Sequence, residues 1–337
     1  MSLKRYLIKR GITYIVVFVV AITIVWALVR FAPGDPGLTA VMRSFMAPGV
    51  RYTEEQIEEF KQRARAMLGL DLPLHEQYIL FWARLLQGDL GWSMYYSAPV
   101  APKLVEVLTY DLILITPAVI VSWFLGNWIG ALAARHRKLD RVFIPIIYVL
   151  TSIPYFLLGL AFAYILGVVY PVFKPTIMRT DIDPFLSSPS IDTFSMFMKA
   201  YTLPFLSMVL VSLGGWASGM RTLMIYELES NYARFMESLG FSERKVAGYA
   251  FRYAINPQIT GLGIQIGTII VAGIVVSSVF NYPGAGIALI YAINFRDIFL
   301  IQGITIFYTL MVIVANFIID ILYAVIDPRI RLGVVGA

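Results

Sequence analysis

Side chains that could perform catalytic or metal chemistry are scarce in this sequence. It has no cysteine and two histidines, His75 and His136, and neither histidine has a second histidine or a carboxylate at ligand spacing. The segment GLGIQIGT at 261–268 lacks the lysine of a phosphate-binding loop, so its glycines are predicted to allow close helix packing. The sequence therefore predicts no catalytic residue, no metal site and no cofactor bound by this chain.

Polar residues inside the apolar segments are uncharged. Asn127, Gln265 and Asn316 lie near segment centres, and no charged residue does. Ion-coupled carriers normally keep ionisable groups at that depth, so ion coupling is not favoured and any energy must come from a partner. Asn127, Gln265 and Tyr155 are candidates for lining a substrate pathway. Hydrogen bonding or packing between helices is the competing interpretation for all three.

A polar stretch, NYARFMESLGFSERKVAGYAFRYAINP at 231–257, interrupts the apolar pattern. It predicts a short helix, a left-handed cap at Gly240, and a second helix with Ser242 at its N-cap. Pro257 marks the start of the next apolar segment. The apolar edge of the first helix is formed by Phe235, Met236 and Leu239. One face of the second helix is formed by Val246, Tyr249, Ala250 and Tyr253.

Two interpretations of this stretch remain open on physical grounds. An amphipathic helix lies on lipid headgroups when its apolar face enters the bilayer interface. The same apolar side chains also suit a groove on another protein.

Composition predicts an all-α polytopic membrane protein. Of 337 residues, 59% are hydrophobic and 14% are charged, against about 25% charged in soluble domains. Mean hydropathy is +0.75. Six mostly apolar segments are long enough to span a bilayer, at 11–31, 108–134, 142–170, 202–225, 258–280 and 300–326.

Basic residues predict the orientation. They cluster before the first segment, in ARHRKLDR at 134–141, and after the last segment. By the positive-inside rule both termini and the 231–257 stretch are cytoplasmic, in a multi-pass protein of the plasma or inner membrane. The net charge of +6 thus predicts contact with lipid and cytoplasmic placement, and no nucleic-acid partner.

The predicted organisation has four parts. Residues 1–31 form the cytoplasmic N-terminus and first helix, and 32–107 form an extracytoplasmic helical subdomain. Residues 108–326 form the core with helices two to six and a cytoplasmic loop at 227–257, and 327–337 form a cytoplasmic tail. Within the subdomain, a helix is expected from an N-cap at Thr53 to Gly69. Residues 171–200 are expected to form a loop.

The polar stretch resembles the EAA loop of ABC importer permeases, in which a glycine follows E-A-A after three residues. Gly240 matches that glycine, while Arg234, Phe235 and Met236 replace E-A-A. A basic residue at the first position resembles the dipeptide/oligopeptide/nickel branch. Eight further segments resemble this branch in order: RFAPGDP (30–36), LGLDLPLHEQY (68–78), QGDLGWS (87–93), AARHRKLDR (133–141), SIPYFLLG (152–159), NYPGAGIAL (281–289), NFRDIFLIQG (294–303) and DPRIRLG (327–333).

The resemblance implies a type I ABC importer transmembrane domain of six helices, with the extracytoplasmic insertion between helices 1 and 2. It implies a second, related permease subunit as heterodimer partner, two ATP-binding subunits that hold ATP and Mg, and an extracytoplasmic solute-binding protein that delivers peptides or oligosaccharides. The loop would be the coupling helix that receives the ATPase movement. Its expected contact residues are Arg234, Phe235, Met236, Glu237, Leu239, Gly240, Phe241 and Arg244.

Two alternatives belong to other classes. An ion-coupled secondary transporter would take up solute as a single chain, and a membrane sensor or scaffold would carry no solute. The cargo itself, whether a peptide, an oligosaccharide or a nickel chelate, is not encoded in a recognisable motif.

Overall fold

The structure, a computed structural model, describes residues 3–31 and 52–326, and most of the described residues are helical. In chain order the elements are α1 (Leu3–Arg30), α2 (Glu54–Leu68), α3 (Leu74–Leu86), β1 (Trp92–Ser93), β2 (Ala98–Pro99), α4 (Val100–Arg135), α5 (Arg137–Ser152), α6 (Tyr155–Phe162), α7 (Arg179–Ser187), α8 (Ile191–Leu228), α9 (Asn231–Ser238), α10 (Glu243–Phe280), α11 (Ala285–Phe295) and α12 (Ile298–Ile326). A π-helical segment, Ala163–Val169, continues α6.

The all-α polytopic prediction is confirmed. Within the described residues, four helices are long and apolar enough to span a bilayer: Arg5–Arg30, Val100–Arg135, Ile191–Leu228 and Ile298–Ile321. Two bent helix pairs, at the third and fifth predicted segments, bring the total to six if each pair is counted as one span. The antiparallel pairing of β1 with β2 is a small departure from an all-helical chain. The motif at 327–333, the tail at 327–337 and most of the motif at 30–36 lie outside the described residues.

The third predicted segment, 142–170, is not one continuous helix. α5 and the α6–π segment meet at a bend of 100°. Ile153 has φ −82° and ψ 123°, an extended conformation. The next residue is Pro154, whose ring disfavours helical geometry in the residue before it. The bend therefore follows from local sequence chemistry, although segment length alone predicted a straight span.

The prediction of a loop at 171–200 is wrong. Residues 179–187 form α7, and α8 begins at Ile191, well before the predicted start of the fourth segment. Ser190 caps α8, since its hydroxyl accepts a hydrogen bond from the backbone N–H of Thr193. The polar side chains in this region thus cap and connect helices, and Pro204 lies within α8 without ending it.

Pro257, expected at the start of the fifth segment, does not interrupt the helix. α10 runs without interruption from Glu243 to Phe280 and bends by 55° between Gly263 and Gly267. The face that is buried consists of Val246, Ala247, Ala250 and Ala254, whereas Tyr249 and Tyr253 are exposed. The small side chains on this face allow the helix to pack closely. The sequence pattern did not indicate this face, because it was read from the spacing of large apolar residues.

Residues 111–283 form most of one compact unit, in which α8 is central. It packs against α5, α6, α7 and α10. α4 approaches α8 closely at Gly126 and Gly130, because a Cβ on Gly126 would lie 2.9 Å from the carbonyl oxygen of Leu213. α5 approaches α8 at Gly214, where a Cβ would lie 2.9 Å from the backbone nitrogen of Thr151. Such small-residue contacts let helix backbones come together inside a bilayer.

A second compact unit consists of residues 8–110 and 284–314. The predicted start and end of α2 are confirmed by a capping box of Thr53 with Gln56 and by Gly69 at φ 64°. α3 packs on α1, where the hydroxyls of Thr23 and Tyr78 lie 2.7 Å apart. The division of the chain into extracytoplasmic and membrane parts at residue 107 stays a prediction.

Asp297 joins the β-ribbon of the second unit to the start of α12. Its carboxylate accepts hydrogen bonds from the hydroxyl of Ser93 at 2.6 Å and from the backbone N–H of Tyr95 at 3.0 Å. It also accepts one from the backbone N–H of Leu300 at 3.1 Å, as an N-cap does. Asp297 is 1% exposed, so water cannot replace these bonds.

We expect Gly214→Ala to lower the free energy of unfolding by about 1–3 kcal/mol, because the new methyl group overpacks the α5–α8 contact. Gly215→Ala is the matched control, since nothing lies within 4 Å of its Cβ position. That variant should be as stable as the parent or gain up to about 1 kcal/mol in helix propensity. Denaturant unfolding in detergent measures both, and equal stabilities for the two variants would contradict the close contact.

We expect Asp297→Ala to lower the free energy of unfolding by about 2–3 kcal/mol, because two buried donors and one partly buried donor lose their acceptor. The exposed residue Asp71 supplies the control, and Asp71→Ala should change stability by less than about 0.5 kcal/mol. Denaturant unfolding in detergent measures the stability of both variants. A neutral Asp297→Ala variant would show that the β-ribbon does not depend on this carboxylate.

Candidate functional site

The helix α9 stands on a cap that ties it to the end of α8. The Ser230 hydroxyl donates to the carbonyl oxygen of Glu227 at 2.6 Å and accepts from the backbone N–H of Ala233 at 3.4 Å. Ala233 is fully buried, whereas its neighbour Arg234 is exposed. One side of α9 is thus held against the protein, and the other side faces outward.

The ends of α4, α8 and α10 meet next to this helix. They share a buried cluster of Ala131, Met220, Met224, Ala250 and Ala254. α9 connects α8 to α10 in the chain and packs on both. A displacement of α9 would therefore act directly on helices whose ends are packed together.

The predicted cap at Gly240 has the geometry of a Schellman motif. Its N–H bonds the carbonyl of Glu237 at 2.9 Å, and the N–H of Phe241 bonds the carbonyl of Met236 at 3.1 Å. Gly240 has φ +80°, and no atom lies within 4 Å of its Cβ position. Glycine is favoured here because of the backbone conformation, and crowding plays no part.

Large apolar side chains project outward from this elbow. Phe235 is 64% exposed, Leu239 is 60% exposed and Phe241 is 37% exposed, and we call these three residues the apolar patch. Met236 is half-buried, so we do not count it as part of the apolar patch. Exposed apolar side chains gathered on a polar loop are typical of a surface that another molecule covers.

Charged residues surround the patch. Arg234, Glu237 and Arg244 are exposed, and within the described residues none of them forms an ion pair. The ammonium of Lys245 lies 4.5 Å from the centre of the Phe241 ring, a cation–π contact that the sequence pattern did not single out. The arrangement is an apolar centre with a charged rim, which is how many protein interfaces are built.

Tyr232 is a further residue that the sequence pattern missed. Its hydroxyl donates to the Glu227 carboxylate at 2.8 Å, and its ring lies 5.5 Å from that of Tyr253 on α10. Burial, and then the bond to Glu227, raise the pKa of Tyr232 to about 12, so the hydroxyl stays protonated and keeps donating. In the sequence, the serine directly before Asn231 is a common N-cap residue. It was the signal that the cap of α9 begins upstream of Asn231.

An ion pair links α8 to α5 near the end of α8. The Arg221 guanidinium forms a two-point contact with the Asp140 carboxylate, with Nη2 donating to Oδ2 at 2.8 Å and Nε donating to Oδ1. Asp140 belongs to the basic segment between the second and third predicted spans. Bidentate pairs of this kind fix orientation as well as distance, so α5 and α8 are coupled here.

The three pathway candidates do not form one site. Tyr155 lines an open pocket of about 540 Å³ whose walls include Thr268 and Val271, and its hydroxyl lies 3.0 Å from that of Ser212. Asn127 is 2% exposed, and its amide donates to the Trp123 carbonyl at 2.8 Å. Gln265 is half-buried near the bend of α10. No hydrogen bond between any two of them occurs in the described part of the chain, and their role stays a prediction.

Residues 126–332 match the family model of the binding-protein-dependent transport system inner membrane component, which is more than half of the chain. The chain belongs to this family. Three relatives agree with the match over nearly full length. The glutathione transport system permease protein GsiC of Salmonella choleraesuis (strain SC-B67) is 30% identical over 330 residues, covering 97% of this chain and 99% of that protein.

The alignments with the other two relatives cover the chain equally well. GsiC of Escherichia coli (strain K12) is 29% identical over 330 residues, with coverage of 97% and 99%. A protein of Brucella suis biovar 1 (strain 1330), provisionally named a peptide permease, is 29% identical over 331 residues with the same coverage. The chain is thus a permease subunit of an ABC importer, a non-enzymatic membrane subunit that works within a complex.

We expect replacement of Gly240 to loosen the elbow of the permease without unfolding it. Gly240→Val should lower local stability by about 1–2 kcal/mol, because a β-branched residue tolerates positive φ poorly. Trypsin should then cleave faster at the exposed residues Arg234 and Arg244, while global unfolding changes little.

Gly240→Asn is the control for this variant, because asparagine adopts left-handed geometry more readily than other side chains. Cleavage of Gly240→Asn should resemble that of the parent chain. Equal cleavage rates for Gly240→Val and Gly240→Asn would contradict a conformational role for the glycine.

Proposed function

We propose that this permease imports glutathione or short peptides, with a second, related permease subunit completing the pathway. Two ATP-binding subunits supply the energy from ATP and Mg, and an extracytoplasmic solute-binding protein delivers the cargo. The names of the relatives in Salmonella, Escherichia coli and Brucella support this class of cargo. The polar loop resembles a coupling element, and the apolar patch is the observation that carries the proposal.

The charge distribution supports a cytoplasmic position for α9. The junction between α4 and α5 exposes Arg135, Arg137, Lys138 and Arg141. The last turn of α4 shares the buried cluster with the ends of α8 and α10, so this basic junction and α9 lie at the same end of the compact unit. By the positive-inside rule that end faces the cytoplasm, where ATP-binding subunits work.

The apolar patch has the properties of a docking surface for an ATP-binding subunit. A short amphipathic helix that inserts apolar side chains into a groove is a recurrent mode of protein recognition. Phe235, Leu239 and Phe241 would enter the groove, and Arg234, Glu237 and Arg244 would pair with charges at its edge. Gly240 sets the angle at which these two groups are presented.

Movement of a docked α9 would be transmitted to the membrane helices through direct contacts. The Ser230 cap and the Tyr232–Glu227 bond hold α9 to the end of α8. The Arg221–Asp140 pair then links α8 to α5, whose far end is the bend before Pro154. ATP binding that brings the ATP-binding subunits together would thus rotate a connected set of helices and alternate access to the pathway.

The pocket beside Tyr155 is a suitable surface for passing cargo. At about 540 Å³ it is within the size range of sites for small molecules, and it lies where α6 begins after the helix break and where α10 continues after its bend. Its lining is mostly apolar, with Tyr155 and Thr268 among the lining residues and no charged side chain. Such a surface would let a polar solute slide past without holding it tightly.

The docking proposal predicts that Leu239→Asp abolishes recruitment of the ATP-binding subunits, because a carboxylate cannot be desolvated in an apolar groove without a partner. Asn231→Asp is the matched control, since it adds the same charge at an exposed position of α9 outside the patch. Copurification from membranes measures recruitment. ATP-driven uptake of labelled glutathione into proteoliposomes that contain the complete complex measures coupling.

Leu239→Asp should reduce uptake at least about tenfold while its unfolding midpoint stays unchanged. Normal recruitment and uptake by this variant would contradict the coupling role of α9. In the parent complex, labelled tripeptide and trisaccharide tested beside glutathione decide the cargo class. Uptake of the trisaccharide alone would contradict the proposed cargo and leave the coupling role intact. Uptake driven by an ion gradient without ATP would contradict the coupling role and leave the cargo open.

A further inference from the structure

A second cavity, in the compact unit of residues 8–110 and 284–314, has no part in the proposed coupling or passage. It holds about 60 Å³ and lies between the end of α1, α3, and the first turns of α12. Trp26, Phe81 and Phe299 form apolar walls. The polar side chains that line it are Arg30, Gln77, Arg84, Asp89 and Gln302.

Two buried polar atoms at this cavity have no hydrogen-bond partner among residues 3–31 and 52–326, which the structure describes. Gln77 is 7% exposed, and its amide nitrogen donates to the carbonyl oxygens of Leu70, at 3.3 Å, and Leu72. Its carbonyl oxygen Oε1 is buried and unpaired, as is the Nε of Arg30. Leaving such buried groups unpaired is unfavourable, so a molecule that both accepts and donates hydrogen bonds would bind favourably here.

The charges at the cavity favour an anionic group. Arg30 and Arg84 are cationic, and Asp89 is the carboxylate among the lining residues. Nε of Arg84 lies 4.0 Å from Oδ2 of Asp89, and Oδ1 of Asp89 accepts from the backbone N–H of Gly91 at 2.8 Å. Asp89 is therefore already engaged, and the Arg30 charge is left for a ligand.

The cavity lies at the boundary of the apolar part of α1. Arg30 is the last residue of the helix that spans Arg5–Arg30. Large apolar side chains are exposed on α1, directly after it, and on α3. Leu28 is 68% exposed and Phe31, which follows α1, is 66% exposed, while on α3 Ile79 is 64% and Leu86 83% exposed. A polar cavity beside exposed apolar residues at the end of a span matches the boundary between lipid headgroups and acyl chains.

We propose that this cavity binds the headgroup of a phospholipid. A phosphate oxygen accepts a hydrogen bond from the Arg30 guanidinium, and an ammonium or hydroxyl of the headgroup donates to Oε1 of Gln77. The cavity, at about 60 Å³, suits a phosphate oxygen together with the donor group of the headgroup substituent, and the rest of the lipid lies outside. Phosphatidylethanolamine and phosphatidylglycerol carry such a donor, whereas phosphatidylcholine does not.

The test uses the full chain, purified in detergent and stripped of lipid, with binding followed by native mass spectrometry. Phosphatidylethanolamine or phosphatidylglycerol should bind at least about tenfold more tightly than phosphatidylcholine, as expected for a lost hydrogen bond to a buried acceptor. Arg30→Gln should weaken this binding about tenfold or more. Arg63→Gln, which removes an exposed charge from α2 outside the cavity, is the matched control and should bind like the parent.

Three results would overturn the proposal. The first is equal binding of the three lipids to the parent chain. The second is unchanged binding to Arg30→Gln. The third is displacement of the lipid by inorganic phosphate at equal concentration, which would assign the cavity to free phosphate. If Arg30→Gln does not fold, Arg30→Lys keeps the charge and removes Nε, and it should still weaken binding measurably; unchanged binding to that variant also counts against the proposal.

Discussion

The close approach of neighbouring helices to α8 is the constraint on which the rest of the first compact unit depends. Gly126, Gly130 and Gly214 remove the side chains that would keep α4 and α5 away from it. In a bilayer, lipid tails are as apolar as leucine, so helices are held together by close packing and by polar contacts. Once the backbones are in contact, the Arg221–Asp140 pair can form across the same interface, and the end of α8 has a fixed place.

That fixed end is what would make α9 effective in the proposed coupling role. A helix of eight residues has little stability of its own, because nucleation is costly and few hydrogen bonds follow it. α9 is ordered by its serine cap, by the buried Ala233 and by the Schellman motif at Gly240. These contacts use one side of the helix and leave the other side free to present an apolar patch. A partner that binds the patch therefore acts on a rigid assembly.

Sequence patterns predicted the helices well where chemistry is local. The cap of α2 at Thr53, its end at Gly69 and the elbow at Gly240 depend on neighbouring residues, and each is present in the structure. Predictions failed where packing decides. Residues 171–200 contain helices because α7 packs on α8, where the ring of Phe185 stacks on that of Phe197. α10 continues through Pro257 because its alanine face is buried against α8 and α4. Hydropathy alone predicts neither the helices in 171–200 nor the continuation of α10 through Pro257.

The sequence by itself determined that this is a helical membrane protein with a polar, glycine-capped loop near its end. Those features depend on composition, segment length and backbone preferences of single residues, and the family match follows from the same residues. Only the tertiary structure decided which side of α9 is exposed, which groups meet at the end of α8, and that Arg30 and Gln77 line one cavity although they are far apart in sequence. Long-range contacts of this kind depend on how helices pack, and no local pattern records that packing.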